Sequence, residues 1–148
     1  MFRAGEWLSI AILGLVLLFI FNSFGFFNFL IGPGGSGPTT TVEPTTAYFQ
    51  VIFTSIAPAV ALSFFTGVLS ERSRVSSVLL LVSGITLIFG MFYISTLIPM
   101  IEAVELPWWV ANSPWIFMLF GILLLAMGYL NFRNVTLRSL RRNDLKDT

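Results

Sequence analysis

The sequence contains no cysteine and no histidine, and charged residues make up only 10% of its 148 residues. Disulfides, thiol catalysis, thiolate or imidazole metal sites and histidine-ligated haem are therefore excluded within this chain. A soluble domain carries about a quarter charged residues, so this chain is too poor in charge to cover a water-facing surface. The net charge of +1 also argues against nucleic acid as a partner. We expect no cofactor and no metal held by the chain.

Apolar residues, at 56% of the sequence, fall into four long segments. Their predicted ranges are 8–31, 47–69, 75–98 and 114–132. Helices of about 20 residues cross a hydrocarbon core of about 30 Å. The sequence therefore predicts an all-α, single-domain, polytopic membrane protein: a bundle of four transmembrane helices with outer loops 32–46 and 99–113 and a cytoplasmic tail 133–148.

The first segment resembles the apolar region of a signal peptide. Its apolar run, however, continues through Phe29 and Leu30, and no cleavage site with small residues follows. A retained helix is the better interpretation. The glycine-rich stretch 32–37 that comes next lacks the Lys-Ser/Thr pair of a phosphate-binding loop, which indicates a connector.

The basic residues are all predicted to lie on one side of the membrane. The opposite side holds Glu43, Glu102 and Glu105. Since basic residues beside short segments are retained in the cytoplasm, both termini are predicted to be cytoplasmic, in the cell membrane or another energy-transducing membrane. The eight basic residues are Arg3, Arg72, Arg74, Arg133, Arg138, Arg141, Arg142 and Lys146.

The second segment carries the most specific packing signal. Ser55, Ala59, Ser63 and Gly67 recur every four residues, so they share one helix face on which small side chains allow another backbone to approach. The partner helix could belong to this chain or to another. Pro58 lacks an amide proton, which predicts a kink near the middle of this segment.

Uncharged polar residues concentrate in the outer half of the bundle when the segments are aligned by depth. Asn22, Ser23, Thr54 and Tyr93 represent this predicted cluster. Two interpretations stay open: hydrogen bonds that hold helices together, or a shallow polar pocket facing outward. We hypothesise that Asn22 points into the bundle.

Residues at the ends of the segments are typical of contacts with lipid headgroups or with a partner. Tyr48, Trp108, Trp109 and Trp115 are predicted to form the outer aromatic belt. The predicted headgroup or partner contacts are Arg133, Arg138, Arg141, Arg142, Trp108 and Trp109. An anionic lipid at the cytoplasmic tail is a further expected partner, beside the bilayer itself.

The function that this pattern favours is a non-catalytic accessory subunit of a larger membrane complex, such as a respiratory, oxidase or transport assembly. No ionisable residue lies inside a predicted segment, and no catalytic dyad can be assembled, so we expect no enzyme activity from this chain alone. The alternative is a small homo-oligomeric channel or carrier with an uncharged polar lining, which requires a polar stripe through both leaflets.

Overall fold

The computed structural model describes residues 3–68 and 73–145, and for Val68 the backbone alone. This part of the chain is helical and contains no strand. Its helices are α1 (Ala4–Ile31), a segmented α2, α3 (Arg74–Leu97) and α4 (Trp108–Asp144), and α2 comprises Pro44–Val51, a π-helical turn Ile52–Ile56 and Ala57–Val68. Each of the four is long and apolar enough to cross a membrane. The predicted all-α architecture with four such helices is confirmed.

All four helices begin earlier than predicted, and the differences are largest for α1 and α4. Helix α1 starts at Ala4 because the Glu6 carboxylate accepts a hydrogen bond of 3.0 Å from the Arg3 amide, which caps the first turn. Helix α4 starts at Trp108, so the predicted outer loop 99–113 is wrong over residues 108–113. Pro114 lies inside this helix and does not begin it.

Smaller differences occur at the other helix ends. Helix α2 begins at Pro44, whose fixed φ suits the first helical turn. Helix α3 is followed by a 3₁₀ turn, Ile98–Met100. The tail predicted over residues 133–148 continues α4 as far as Asp144. Leu69, Arg72, Lys146 and the last residues of the predicted tail lie outside the described part of the chain.

The bundle is organised around α1, which lies against α2 on one side and α3 on the other, while α4 packs most extensively on α3. Phe19 of α1 and Phe117 of α4 meet edge to face, with ring centroids 4.7 Å apart. The fully buried core side chains come from every helix. They include Ile12, Val16, Phe19, Phe27, Leu30, Tyr48, Leu80, Leu87, Met91, Ile94, Val110 and Leu124.

Helices α3 and α4 approach so closely that their contact depends on glycine. A Cβ on Gly84 would lie 2.7 Å from the Gly121 carbonyl oxygen, and one on Gly128 would lie 3.0 Å from the Ser77 carbonyl oxygen. Ser77 precedes Gly84 by seven residues, as Gly121 precedes Gly128. The two antiparallel helices therefore keep one register across one heptad, with small residues at both contact points.

The outer loops close one end of the bundle. Gly32 ends α1 with a φ of 70°, and its amide donates to the Asn28 carbonyl at 3.1 Å. A Cβ at Gly32 would collide with the Gly37 carbonyl at 1.7 Å, and one at Gly37 would lie 2.5 Å from Ala103 Cβ. The first loop is thus folded back on itself and seated against the loop that precedes α4.

Charges are separated between the two ends of the bundle. Arg3 at the start of α1 shares a cavity with Arg138 on the last turns of α4, and Ser73 beside Arg74 bonds to Glu6. These contacts bring the described arginines to one end. Glu43 belongs to the loops at the opposite end, where the connector that carries Glu102 and Glu105 also lies.

Candidate functional site

The predicted packing face of α2 is turned mostly into the bundle. Ser55 and Ala59 are fully buried, Ser63 is almost fully buried, and Gly67 is exposed. The main neighbour of α2 is α1. The Ser55 and Ser63 hydroxyls donate to their own helix, at the Val51 and Val60 carbonyls. Three of the four small residues are therefore buried within the bundle, and neither serine hydroxyl faces outward.

The backbone around Pro58 is irregular, and the irregularity precedes the proline. The Ala57 amide donates to the Ile52 carbonyl, five residues back, as in a π-helix. Hydroxyls supply further bonds there, since Thr54 Oγ1 donates to the Gln50 carbonyl at 2.7 Å. The π-helical turn thus accommodates the hydrogen bond that is missing at Pro58, which has no amide proton.

The predicted outer polar cluster is dispersed over several faces. Ser23 is fully buried and Asn22 is half-buried. Thr54 is exposed, and Tyr93 is 56% exposed with its ring beside Phe24. No hydrogen bond joins these four side chains within residues 3–68 and 73–145. The structure places them on three different helices without assembling a pocket from them.

The hydroxyl group of Tyr48 is buried in the outer half of the bundle. The prediction that Tyr48 belongs to the outer aromatic belt is wrong, because its side chain is fully buried between α1 and α4. Its ring lies 5.1 Å from Phe26 and 6.0 Å from Trp109, centroid to centroid. Tyr48 Oη lies 3.0 Å from Ser113 Oγ. These two residues and Ser23 form what we call the outer hydroxyl cluster.

Ser113 connects this cluster to the proline in α4. Its hydroxyl donates to the Val110 carbonyl at 2.7 Å. Val110 is four residues before Pro114, so its carbonyl is the one that a prolyl nitrogen leaves without a donor. The same hydroxyl is also the donor to Tyr48 Oη, so the single proton of Ser113 is shared between the Val110 carbonyl and the Tyr48 oxygen.

Ser23 is the unsatisfied member of the cluster. Its Oγ is buried and makes no hydrogen bond to any described residue. It lies close to the Tyr48 hydroxyl without reaching hydrogen-bond geometry.

A second polar group, the inner polar cluster, joins the first turns of α1 and α3. Ser9 Oγ and Ser76 Oγ lie 2.5 Å apart, and both hydroxyls also approach the Gly5 carbonyl, at 2.8 and 3.4 Å. The Ser73 hydroxyl donates to the Glu6 carboxylate and accepts the Val75 amide as the cap of α3. The inner polar cluster comprises Glu6, Ser9, Ser73 and Ser76.

The residues predicted to meet headgroups or partners lie in two groups. Arg133, Arg138, Arg141 and Arg142 are all exposed on the C-terminal turns of α4. Trp108 is 74% exposed. Trp109 instead packs over Phe49, with ring centroids 4.9 Å apart, so it covers the outer hydroxyl cluster.

The outward face of α1 differs from the exposed faces of α3 and α4 because it carries glycines. Seven of its exposed residues follow one another at alternating spacings of four and three, and Leu17 is exposed beside them. Two of them are glycines, and a Cβ built on Gly14 or Gly25 would meet nothing within 4 Å. We call this the α1 outer stripe, and it comprises Trp7, Ala11, Gly14, Leu18, Phe21, Gly25 and Asn28.

An open cavity of about 630 Å³ lies between the two outer loops. Its polar lining consists of hydroxyls and one carboxylate, and Ala103 and Val104 close the other side. The polar residues are Ser36, Thr39, Thr40, Thr41 and Glu43. This arrangement presents hydrogen-bonding groups at the loop end of the bundle.

The sequence contains signals that its first interpretation missed. The seven-residue spacing of Gly121 and Gly128 is visible without a structure, and it marks the α3–α4 contact. Ser113 directly before Pro114 is a second signal, because a hydroxyl there can reach the carbonyl that proline leaves free. No sequence pattern pairs Ser9 with Ser76, since 67 residues separate them.

Comparisons with models of protein families, with curated proteins and with solved structures found no significant match for this chain.

Proposed function

We propose that the protein is a non-catalytic accessory subunit of a larger membrane complex, and that the α1 outer stripe receives a transmembrane helix of an unlike subunit. In this proposal both termini lie in the cytoplasm, at the end of the bundle that carries the arginines. The single observation that supports it most strongly is the stripe itself.

Contact with lipid does not require glycine on the outward face of a helix. Lipid accommodates Leu, Ile and Phe on an outward helix face, and the stripe contains Leu18 and Phe21. Glycine gains nothing from lipid, because it offers little dispersion contact and lowers helix propensity by about 1 kcal/mol relative to alanine. Gly14 and Gly25 are not needed inside the bundle, since a Cβ at either position would meet nothing within 4 Å. Close approach of another backbone gives these glycines a role.

Asn28 adds a polar argument at the outer end of the same face. It is exposed, and its side chain makes no hydrogen bond within the described residues. An amide near the hydrocarbon boundary gains free energy from an interhelical hydrogen bond, about 0.6 kcal/mol on average. A partner helix that offers a polar group at this depth would satisfy it.

An unlike partner fits the charge distribution better than a second copy of this chain. A twofold contact along the stripe would place the two Arg3 side chains and the two positive N-termini of α1 side by side. The like charges of these neighbouring groups would repel each other. A helix with acidic or neutral residues at its inner end meets no such opposition.

The channel alternative gains less support. A pore needs hydroxyls or amides along one continuous path, yet Thr54 and Tyr93 face outward on different helices. The buried hydroxyls of Ser63, Thr66 and Ser83 donate to carbonyls of their own helices. These donors are therefore engaged, and the middle of the bundle is filled by apolar side chains.

The test compares two variants of the full chain in its source membrane. Gly14→Leu combined with Gly25→Leu adds bulk to the stripe, whereas the control Ala126→Leu adds one leucine to an exposed position on α4. We expect the double variant to reduce co-purification of unlike subunits in mild detergent by about tenfold, the effect of overpacking a close contact. The Ala126→Leu variant should retain the subunits.

The isolated chain supplies the control for folding. Since both glycines border open space, the double variant should keep the helical circular dichroism, and its unfolding midpoint should be no lower than that of the unchanged chain. Undiminished co-purification of the well-folded double variant would contradict the proposal. Equal losses in both variants would show that bulk anywhere on the surface matters, which contradicts it as well.

A further inference from the structure

The arginines at the inner end of the bundle are not equivalent. Arg3 at the start of α1 and two arginines on the last turns of α4 line one cavity of about 320 Å³. The remaining lining is supplied by Val135, Ser139 and Asn143. The two arginines of α4 are Arg138 and Arg142, four residues apart and therefore on one helix face. Arg74 and Arg133 do not line this cavity.

No carboxylate is among the residues that line this cavity. Glu6 is the acidic residue nearest to Arg3 in sequence, but its two carboxylate oxygens accept the Arg3 amide and the Ser73 hydroxyl. No ion pair joins Arg3, Arg138 or Arg142 to a carboxylate among residues 3–68 and 73–145. The first turn of α1 adds the positive end of its helix dipole beside Arg3. Three arginines thus line one space.

The lengths of α1 and α4 lead us to expect this cavity at the depth of lipid headgroups. Helix α4 has 37 residues and is about 55 Å long, whereas a bilayer with its headgroups measures about 40–45 Å. The final turns of α4 therefore extend through the headgroup layer and beyond it. Arg3 stands directly before the 28-residue α1, at the membrane surface.

We propose that this cavity binds the phosphate of an anionic membrane lipid, with Arg3, Arg138 and Arg142 as the ligands and Ser139 and Asn143 as additional donors. Guanidinium groups recognise phosphate through paired N–H···O bonds, which a lysine ammonium cannot reproduce. The exposed apolar sides of α1 and α4 provide surfaces for the acyl chains. The proposal does not depend on the proposed function and gives Arg3 a role in addition to orientation.

The same chemistry would also suit free phosphate, so the experiment separates the two sources. The full chain is placed in nanodiscs of phosphatidylcholine with a minor fraction of phosphatidylglycerol, and native mass spectrometry counts the lipids that stay bound. A parallel sample in neutral detergent receives inorganic phosphate, and its unfolding midpoint is recorded. We expect retained phosphatidylglycerol in the first sample and no shift in the second.

Two double variants with equal loss of charge test the site. Arg3→Gln with Arg142→Gln removes two proposed ligands, and Arg74→Gln with Arg133→Gln removes two arginines from the same end of the bundle but outside the cavity. Each arginine contributes about 1 kcal/mol to the binding of an anionic lipid. The site variant lacks two of them, so it should retain at least about tenfold less phosphatidylglycerol than the unchanged chain. The matched variant should stay within about twofold of the unchanged chain.

Further variants keep the test decisive. Arg3→Lys with Arg142→Lys preserves the charge but not the paired hydrogen bonds, and intermediate retention is expected. Arg138→Gln changes one exposed side chain and should lower retention by about fivefold even where the double variant folds poorly. Equal losses in the two double variants, unchanged retention in the site variants, or stabilisation by inorganic phosphate without lipid retention would each overturn the proposal.

Discussion

Individual hydroxyl groups differ in what they contribute to this bundle. Ser63, Thr66 and Ser83 donate to their own helices and add no contact between helices. Ser113 and Ser76, by contrast, reach hydroxyls of another helix. The hydrogen bonds between transmembrane helices are therefore concentrated near the two ends of the bundle, and apolar packing holds the middle together.

Two serines of the outer hydroxyl cluster should respond in opposite ways to the same substitution. Ser113→Ala leaves the Val110 carbonyl and the Tyr48 hydroxyl without their partner, and it should reduce the free energy of unfolding by about 1–3 kcal/mol. Ser23→Ala removes a buried hydroxyl that makes no bond to a described residue, so it should be neutral or stabilising. Steric-trapping unfolding in bicelles measures both values.

Tyr48→Phe completes this comparison. It removes one hydroxyl but leaves Ser113 bonded to the Val110 carbonyl, so the loss should be near 0.6 kcal/mol, the average for an interhelical bond. A loss for Tyr48→Phe or Ser23→Ala that exceeds the loss for Ser113→Ala would contradict the assigned hydrogen bonds.

Among the helices, the α3–α4 pair has the closest backbone contact. Its small residues, Ser77 and Gly84 on α3 and Gly121 and Gly128 on α4, repeat at seven residues. Helix α2 contrasts with this pair because it packs mainly on α1 and its backbone contains a π-helical turn. The α3–α4 contact should therefore be the most sensitive to added volume.

A pair of glycine-to-alanine substitutions tests this difference. Gly84→Ala places a Cβ 2.7 Å from the Gly121 carbonyl oxygen, so the bundle should lose about 1–3 kcal/mol of stability. Gly14→Ala enters open space and should gain up to about 1 kcal/mol from helix propensity. Equal effects of the two substitutions on the unfolding free energy would show that backbone contact does not govern α3–α4 packing.

The sequence predicts helices well where hydropathy alone determines them. Apolar runs identify all four segments, because lipid requires their backbones to be helical. The start of α4 is missed because Pro114 suggests a boundary, whereas Ser113 allows the helix to extend back to Trp108. Hydropathy cannot indicate which polar residues meet, and for that reason Tyr48 was predicted at the interface although it is buried.

For the whole molecule, the distribution of charge predicts orientation. The described arginines lie at one end, and Glu43, Glu102 and Glu105 belong to the opposite loops. The rule that basic residues are retained in the cytoplasm predicts that the arginine end faces the cytoplasm. Because the sequence has no cysteine, a single introduced thiol reports its own position.

Two single-cysteine variants test this orientation. Thr40→Cys lies in the outer loop, and Ser139→Cys lies on the exposed last turns of α4. A membrane-impermeant maleimide should label Thr40→Cys in intact cells and Ser139→Cys only after permeabilisation. The reverse labelling pattern would show that the arginine end faces outward.

The most direct test of the proposed role as a subunit is native mass spectrometry of the tagged full chain released from its source membrane. The proposed function predicts particles that contain this chain together with unlike chains, and it predicts the chain alone once Gly14→Leu and Gly25→Leu are combined. A population that consists wholly of single chains, or of whole-number multiples of this chain, would contradict it.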